Sequence, residues 1–198
     1  MSDQKEIFCA LDLEFNQQED AQGNRSSKII QIGICIGNIF TSAIYEKRRW
    51  YVNIDEALNP RIVRLTGVTE DHLSRMGMPL DRAYKELCSV LAFYDCERNP
   101  ITWGGNDGAE LRRQLGLSED EFVFGRCFFD MRTVLQWYCL SRGIKKQSGL
   151  AKSMLKVGLK FDGRKHDAMD DASNTFRIAC KLLGAFGETD RAAGPKPT

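Results

Sequence analysis

The sequence predicts a mixed α/β sheet with helices on both faces, and three observations carry that prediction. The stretch Ile7-Phe8-Cys9-Ala10-Leu11-Asp12-Leu13-Glu14-Phe15 is a short apolar run of strand length. Alternate side chains of a strand share a face, and here both faces carry apolar residues, as in a central strand covered on both sides. Two further runs rich in β-branched and aromatic residues follow at short intervals, which suits an antiparallel meander. Beyond them amphipathic segments alternate with short apolar runs, so the later strands join the sheet through helices.

The 198 residues suit one domain around one core, expected over 1–186. A net charge of +1 argues against bulk electrostatic capture of nucleic acid, so any basic footprint must be local. Cys9, Cys35, Cys88, Cys96, Cys127, Cys139 and Cys180 form no C-x-x-C pair, and most lie in apolar segments. They read as reduced residues of a cytoplasmic protein. The start, Met-Ser-Asp-Gln-Lys, lacks the apolar centre of a signal peptide, and no run approaches membrane-spanning length, so no membrane partner is expected.

The elements follow in order. Asn16 to Lys28 is polar and reads as a loop. Lys28–Gly37 is a second strand and Thr41–Asn53 a third, with Lys47-Arg48-Arg49 midway. Pro60 starts a helix that Gly67 stops, and Thr69 caps another helical turn. Pro79 to Tyr94 is amphipathic, with Leu80, Ala83, Leu87, Val90 and Leu91 on one side. Pro100–Trp103 is a short strand, followed by Gly104-Gly105-Asn106-Asp107 and a helix to about Leu115. Phe122–Phe129 reads as a strand or an extended segment, and Asp130–Ser141 as a helix. Gly149–Val157 is another helix, with Ser148 as its N-cap. Asp167–Ala185 is the last long helix, and 187–198 has nothing to bury, so a disordered tail is expected there.

The acids are the informative residues. Asp12 and Glu14 emerge from one face near the end of the first strand, roughly 7 Å apart at ~3.3 Å per residue. Like charges at the edge of a core need a proton, a cation or arginine partners. A hard cation such as Mg²⁺ or Mn²⁺ suits oxygen ligands. Asp107 opens a helix after Gly104 and Gly105, and with Glu110 it forms a D-x-x-E capping pattern. In His-Asp-Ala-Met-Asp-Asp-Ala, Asp167 and Asp170 have capping-box spacing. That places His166 in the loop before the helix and Asp171 one turn inside it, near the positive end of the dipole.

Together these pieces resemble a known set. Leu11-Asp12-Leu13-Glu14, Thr102-Trp103-Gly104-Gly105-Asn106-Asp107 and His166-x-Ala168-x-x-Asp171-Ala172 are similar to the three motifs of the DEDDh family of 3′-to-5′ exonucleases. This family belongs to the ribonuclease-H-like superfamily, with the proofreading exonucleases and ribonuclease T. Tyr51-Val52-Asn53, Leu65-Thr66-Gly67-Val68-Thr69 and Phe161-Asp162-Gly163-Arg164 are further landmarks, so the resemblance runs from about Phe8 to Leu183. Many relatives carry His-Asn before the second-motif acid. Here Trp-Gly-Gly-Asn stands instead, which resembles the Eri-type exoribonuclease branch and favours RNA.

The resemblance implies a ribonuclease-H-like fold and two divalent ions, Mg²⁺ or Mn²⁺, held by Asp12, Glu14, Asp107 and Asp171. It implies His166 as general base, a single-stranded nucleic acid with a free 3′ end as substrate, and a nucleoside 5′-monophosphate as product. Leu13, Phe15, Leu65 and Thr66 would meet the terminal nucleotide, with core packing as the other reading of Leu13, Phe15 and Leu65. Trp103 reads as core or as a stacking surface. Arg142, Lys145, Lys146, Lys152, Lys156, Lys160, Arg164 and Lys165 lead into His166 and read as a phosphate-guiding track. A proofreading-type DNA exonuclease subunit and a non-catalytic nucleic-acid-binding module of the same fold remain alternatives. Assembly as a homodimer or in a larger complex is left open.

Overall fold

The computed structural model describes residues 5–19, 23, 25–145 and 149–192, with side chains to Phe186. The six-stranded sheet has the order β4-β3-β2-β1-β5-β6. β1 (Ile7–Glu19), β2 (Arg25–Asn38) and β3 (Ile44–Val52) form the antiparallel meander. β4 (Gly77–Met78) runs parallel to β3, β5 (Ile101–Thr102) parallel to β1, and β6 (Phe129–Asp130) parallel to β5.

The segment expected to be a loop after Phe15 is instead the outer half of a long hairpin, with Gln17 opposite Ser27 and Glu19 opposite Arg25. Polar residues cover both faces there, so the ladder continues without a hydrophobic period to reveal it. Asn16 anchors this arm: its Nδ2 donates to Glu56 Oε1 at 2.7 Å and its Oδ1 accepts from Asn59 N at 2.8 Å.

α1 (Pro60–Thr66) begins behind the Asn59 cap and ends at Gly67, whose φ of 73° needs a residue without Cβ. α2 (Glu70–Met76) starts on the Thr69–His72 capping box. α3 (Leu80–Phe93) and α4 (Asp107–Leu115) follow. The aromatic run after Glu121 yields only the two-residue β6. Phe122 and Phe124 instead fill the core beside Tyr84 without a ladder. α5 (Met131–Ser141) is capped by Asp130. α6 (Leu150–Met154) passes into a 3₁₀ turn at Leu155–Val157 rather than continuing as one helix; Ser148 lies outside the described residues. α7 runs over Ala168–Ala192, past Gly187; 193–198 lie outside the described residues.

The alternation of β1 divides the core as its sequence dictates. Cys9, Leu11 and Leu13 meet Leu87 and Leu91 of α3 and Leu111 of α4 on one side. Ala10 joins Met131 and Leu135 of α5, Met154 of α6 and Phe176 of α7 on the other. The seven cysteines are free. Among the described residues, no helix is long and apolar enough to cross a membrane.

Candidate active site

Asp12 and Glu14 share the face of β1 that α7 covers. Gly33 stands opposite Asp12 in the ladder, and a Cβ there would lie 2.0 Å from the Ala168 carbonyl carbon. The start of α7 therefore rests directly on β2, and Asp171 is brought beside the two strand acids. Gln31, opposite Glu14 and buried, holds that start in place: its Oε1 accepts from Ala168 N at 2.7 Å and its Nε2 donates to Asp167 Oδ2 at 3.4 Å. A bulge between Glu14 and Phe15 then shifts the register of β1 just past the second acid.

Asp107 arrives from the neighbouring strand. β5 is parallel to β1, with Ile101 opposite Ala10, so the Trp103–Asn106 loop leaves the sheet at the end where Asp12 and Glu14 emerge. The capping pattern anticipated for Asp107 does not form: it is the first residue of α4, and Glu110 bonds Arg113 and Gln114 instead. Gly108 lets the first turn of α4 close on Phe128, whose ring a Cβ would meet at 2.0 Å.

Asp167 is the α7 cap, accepting from Asp170 N at 3.3 Å. It is also more than a cap, because it is buried and ion-paired with Arg49 of β3. His166 precedes it in the left-handed region at φ 60°, and its side chain is exposed. The His166 N–H donates to Asp171 Oδ2 at 3.1 Å. One ligand-capable atom each of Glu14, His166 and Asp171 lie within 4.8 Å of one another. The other histidine, His72, is structural: its Nδ1 accepts from Thr69 N and its ring stacks on Tyr51 at 5.3 Å.

The electrostatics mark the cluster as short of positive charge. Burial pushes Asp12 well above the ordinary carboxylate range, and Asp107, Asp171, Glu14 and Asp167 push it further. Burial, then Asp171, Asp107 and Asp167, raise Glu14 to about 8. Burial raises Asp107 to about 7. Asp171 reaches about 7 through burial, with Asp167 and Asp170 adding to the rise and the His166 N–H opposing it. The nearby guanidinium, that of Arg49, goes to Asp167. Among the described residues, no hydrogen bond or ion pair reaches the carboxylates of Asp12, Glu14 or Asp107. An all-oxygen donor set of this charge fits hard divalent cations.

The residues expected at the terminal nucleotide separate. Leu13 is 5% exposed and sits in the core on the face of β1 away from the acids, so the core reading holds for it. Phe15 is half-buried against the same core. Thr66 is buried; its hydroxyl donates to Ile62 O and accepts from Val68 N, a structural role. Leu65 is exposed at the end of α1 and remains free to meet a ligand.

Sequence reasoning passed over Gln31, Gly33 and Arg49. The glycine within a β-branched run was the available signal, since a strand-interior glycine marks close backbone approach. Nothing local marks Gln31 or Arg49, whose partners lie more than a hundred residues away in sequence.

No protein-family model matches the chain. Among curated proteins, ERI1 exoribonuclease 2 of Homo sapiens is 24% identical over 228 residues, covering 100% of this chain and 32% of that protein. The 3′-5′ exoribonuclease 1 of Homo sapiens is 25% identical over 187 residues, covering 90% of this chain and 52% of that protein. The chain thus spans about a third to a half of the length of these relatives. Among solved structures, the nuclease domain of 3′hExo, a DEDDh family member bound to rAMP, superposes with a TM-score of 0.77 at 21% identity, covering 93% of this chain and 95% of that one. A 3′-exonuclease described for 3′-end specific recognition of a histone mRNA stem-loop gives 0.74 at 21% identity, over 91% and 64% of the two chains. S. pombe Pop2p in its Mg²⁺- and Mn²⁺-bound form gives 0.63 at 16% identity, over 91% and 84%. The named relatives are exoribonucleases, and the chain shares the fold of the 3′hExo nuclease domain, a member of the DEDDh family whose motifs its own three motifs resemble.

Proposed function

We propose that this chain is a metal-dependent 3′-to-5′ exonuclease that hydrolyses single-stranded nucleic acid, RNA in preference to DNA, to nucleoside 5′-monophosphates. The observation that carries the reading is the convergence of Asp12, Glu14, Asp107 and Asp171 from β1, α4 and α7, raised in pKa and without a cation of their own, beside an exposed histidine. The four acids would hold two ions, Mg²⁺ or Mn²⁺. Such ions, when bound, supply charge that acidifies a water and offsets the charge developing at phosphorus. His166 takes the proton of the attacking water on a ring nitrogen. Its place outside α7 suits that role, because the side chain must reach the substrate while Asp171 stays fixed by the His166 N–H. Leu65 contacts the terminal nucleotide from the end of α1. The exoribonuclease names of the relatives and the rAMP and stem-loop complexes of the neighbours support the preference for RNA and for a 3′ end.

Digestion of 5′-labelled single-stranded RNA and DNA, side by side in Mg²⁺, Mn²⁺ and EDTA, tests the proposal. The expected result is a descending ladder on RNA, slowed by a 3′-terminal phosphate and abolished in EDTA. Immediate release of the labelled mononucleotide, or full activity in chelator, contradicts it.

A further inference from the structure

The loop before α7 carries a second outward-reaching side chain besides His166. Gly163, at φ 85°, and Arg164 wrap the carboxylate of Asp170, whose Oδ2 accepts from Arg164 N at 2.7 Å. The His166 N–H goes to the neighbouring acid, Asp171. Two adjacent carboxylates in the first turn of α7 thus fix the backbone of the loop, and the side chains of Arg164 and His166 project from it, both exposed. His166 lies beside Glu14 and Asp171. The Arg164 guanidinium instead crosses to α1 and lies on Gly67, where a Cβ would fall on Nη1, Cζ and Nη2 together. Gly67 already stops α1 with its left-handed φ, and its missing side chain also makes the seat for that guanidinium. Among the described residues the Arg164 side chain makes no hydrogen bond and no ion pair, so it neither caps the carbonyls of α1 nor neutralises an acid. Arg49, by contrast, is taken by Asp167.

We propose that Arg164 is a substrate-binding residue that holds the scissile phosphate, the 5′-phosphate of the nucleotide being removed. The inference rests on the exonuclease reading, in which Leu65 meets the terminal nucleotide and His166 serves the attacking water. Gly67 stands two residues past Leu65, and Arg164 two residues before His166. The guanidinium therefore bridges the wall that meets the nucleotide and the wall that serves the chemistry. The anionic group that a terminal nucleotide presents between those walls is its 5′-phosphate. A guanidinium offers its donors in a planar fork that matches two oxygens of a phosphate. Resting one face on a glycine fixes the plane and leaves the donors at its edge uncommitted. A cation fixed at this rim also offsets part of the repulsion that four carboxylates exert on an incoming phosphate. Of the basic track that leads into His166 in sequence, Arg164 is the residue that the fold sets against the end of α1.

The product of the proposed reaction keeps that phosphate, so adenosine 5′-monophosphate set against adenosine isolates the contact. Both are titrated into the full chain in Ca²⁺ and followed by ligand-observed NMR. The parent binds the monophosphate more tightly than the nucleoside. Arg164→Gln weakens the monophosphate about tenfold or more, the scale of a lost hydrogen bond to a charged group, and leaves adenosine affinity unchanged. Arg164→Lys, which keeps the charge but not the fork, falls between the two. In Mg²⁺, kcat/KM of Arg164→Gln drops by a similar factor on a dinucleotide, whose single phosphate is the scissile one, while Mn²⁺ affinity by calorimetry stays that of the parent. Equal weakening of both ligands overturns the proposal and makes Arg164 a strut between α1 and the loop. Parent-like monophosphate affinity in Arg164→Gln, or a parent that does not distinguish the two ligands, also overturns it. A parent that prefers the monophosphate yet hydrolyses neither the dinucleotide nor single-stranded RNA defeats the exonuclease reading, while the monophosphate affinity of Arg164→Gln still decides the phosphate contact.

Discussion

Asp167 and Asp171 stand one turn apart at the start of α7, and the two sides of that turn treat a sheltered carboxylate in opposite ways. On the β3 side, Asp167 is buried but supplied: Arg49 pairs with it, Gln31 donates to it, and it caps its own helix. On the β1 side, Asp171 lies beside Asp12 and Glu14, with a single backbone N–H for relief. Burying a charge is tolerable when partners return what solvation is lost, and costly otherwise. The first arrangement is structural. The second is unfavourable for the bare chain and favourable for a site that binds cations, and function and stability pull apart in this way at such sites.

The largest effects should come from the unsupplied side. Asp12→Asn or Asp171→Asn should lower turnover on single-stranded RNA by several orders of magnitude, measured under single-turnover conditions in Mg²⁺. His166→Ala should slow the chemical step by roughly 10²–10⁴-fold, the scale of a lost general base, while Mn²⁺ affinity by calorimetry stays close to that of the parent. The proximity of His166 to Glu14 and Asp171 makes this a real contest. Loss of Mn²⁺ affinity with the imidazole would make His166 a ligand.

Stability sharpens the comparison by sign. Asp167→Ala should destabilise the chain. The loss should lie between about 1 kcal/mol for the cap and roughly 3 kcal/mol for a broken buried pair. The upper figure is not reached because Arg49 keeps 33% of its side chain exposed. Asp171→Asn in the metal-free chain at pH 8, where Asp171 is ionised, should do the reverse and raise stability by about 1 kcal/mol, because it removes a charge from a repelling group. Urea denaturation in EDTA measures both, and a shared sign would erase the distinction between the two aspartates.

The remaining effect is a pH trend. Glu14, Asp107 and Asp171 have ordinary values of 4.5, 3.8 and 3.8 and folded values of about 8, 7 and 7. Between those limits the folded chain holds protons that the unfolded chain has released, so stability falls as pH rises. This contribution is complete below about pH 4 and lost as pH passes through about 7 to 8. The melting temperature of the metal-free chain should therefore drop across that window, and saturating Mg²⁺ should flatten the drop. A metal-free melting temperature that rises with pH over the same range would contradict the repulsion.

The acids were legible only as an ordered set: each alone admitted a structural reading, and the three motifs together carried the resemblance. Asp12 and Glu14 interrupt one face of an apolar strand, and Asp171 falls one turn inside a helix whose cap is visible in the sequence. The helices around Pro60 and Thr69 were legible through their caps and stops. The arm of the β1–β2 hairpin was not, since Gln17, Gln18, Ser26 and Ser27 pair through backbone groups alone. β4 and β6 are two-residue additions that carry no period at all. Arg49 and Gln31 hold α7 across more than a hundred residues of chain, a relation that no local pattern records. Leu13 had two readings, and strand alternation separates it from the acids that flank it: it points to the opposite side of the sheet.

Calorimetric titration of Mn²⁺ into the parent chain and into Asp12→Asn, at several pH values, tests the central claim most directly. The account predicts saturable binding to the parent that releases protons and tightens as pH rises through about 7 to 8, because the acids must ionise before they can act as ligands. It predicts that this binding is largely lost in Asp12→Asn. No saturable binding to the parent at pH 8, or undiminished binding to Asp12→Asn, would contradict it.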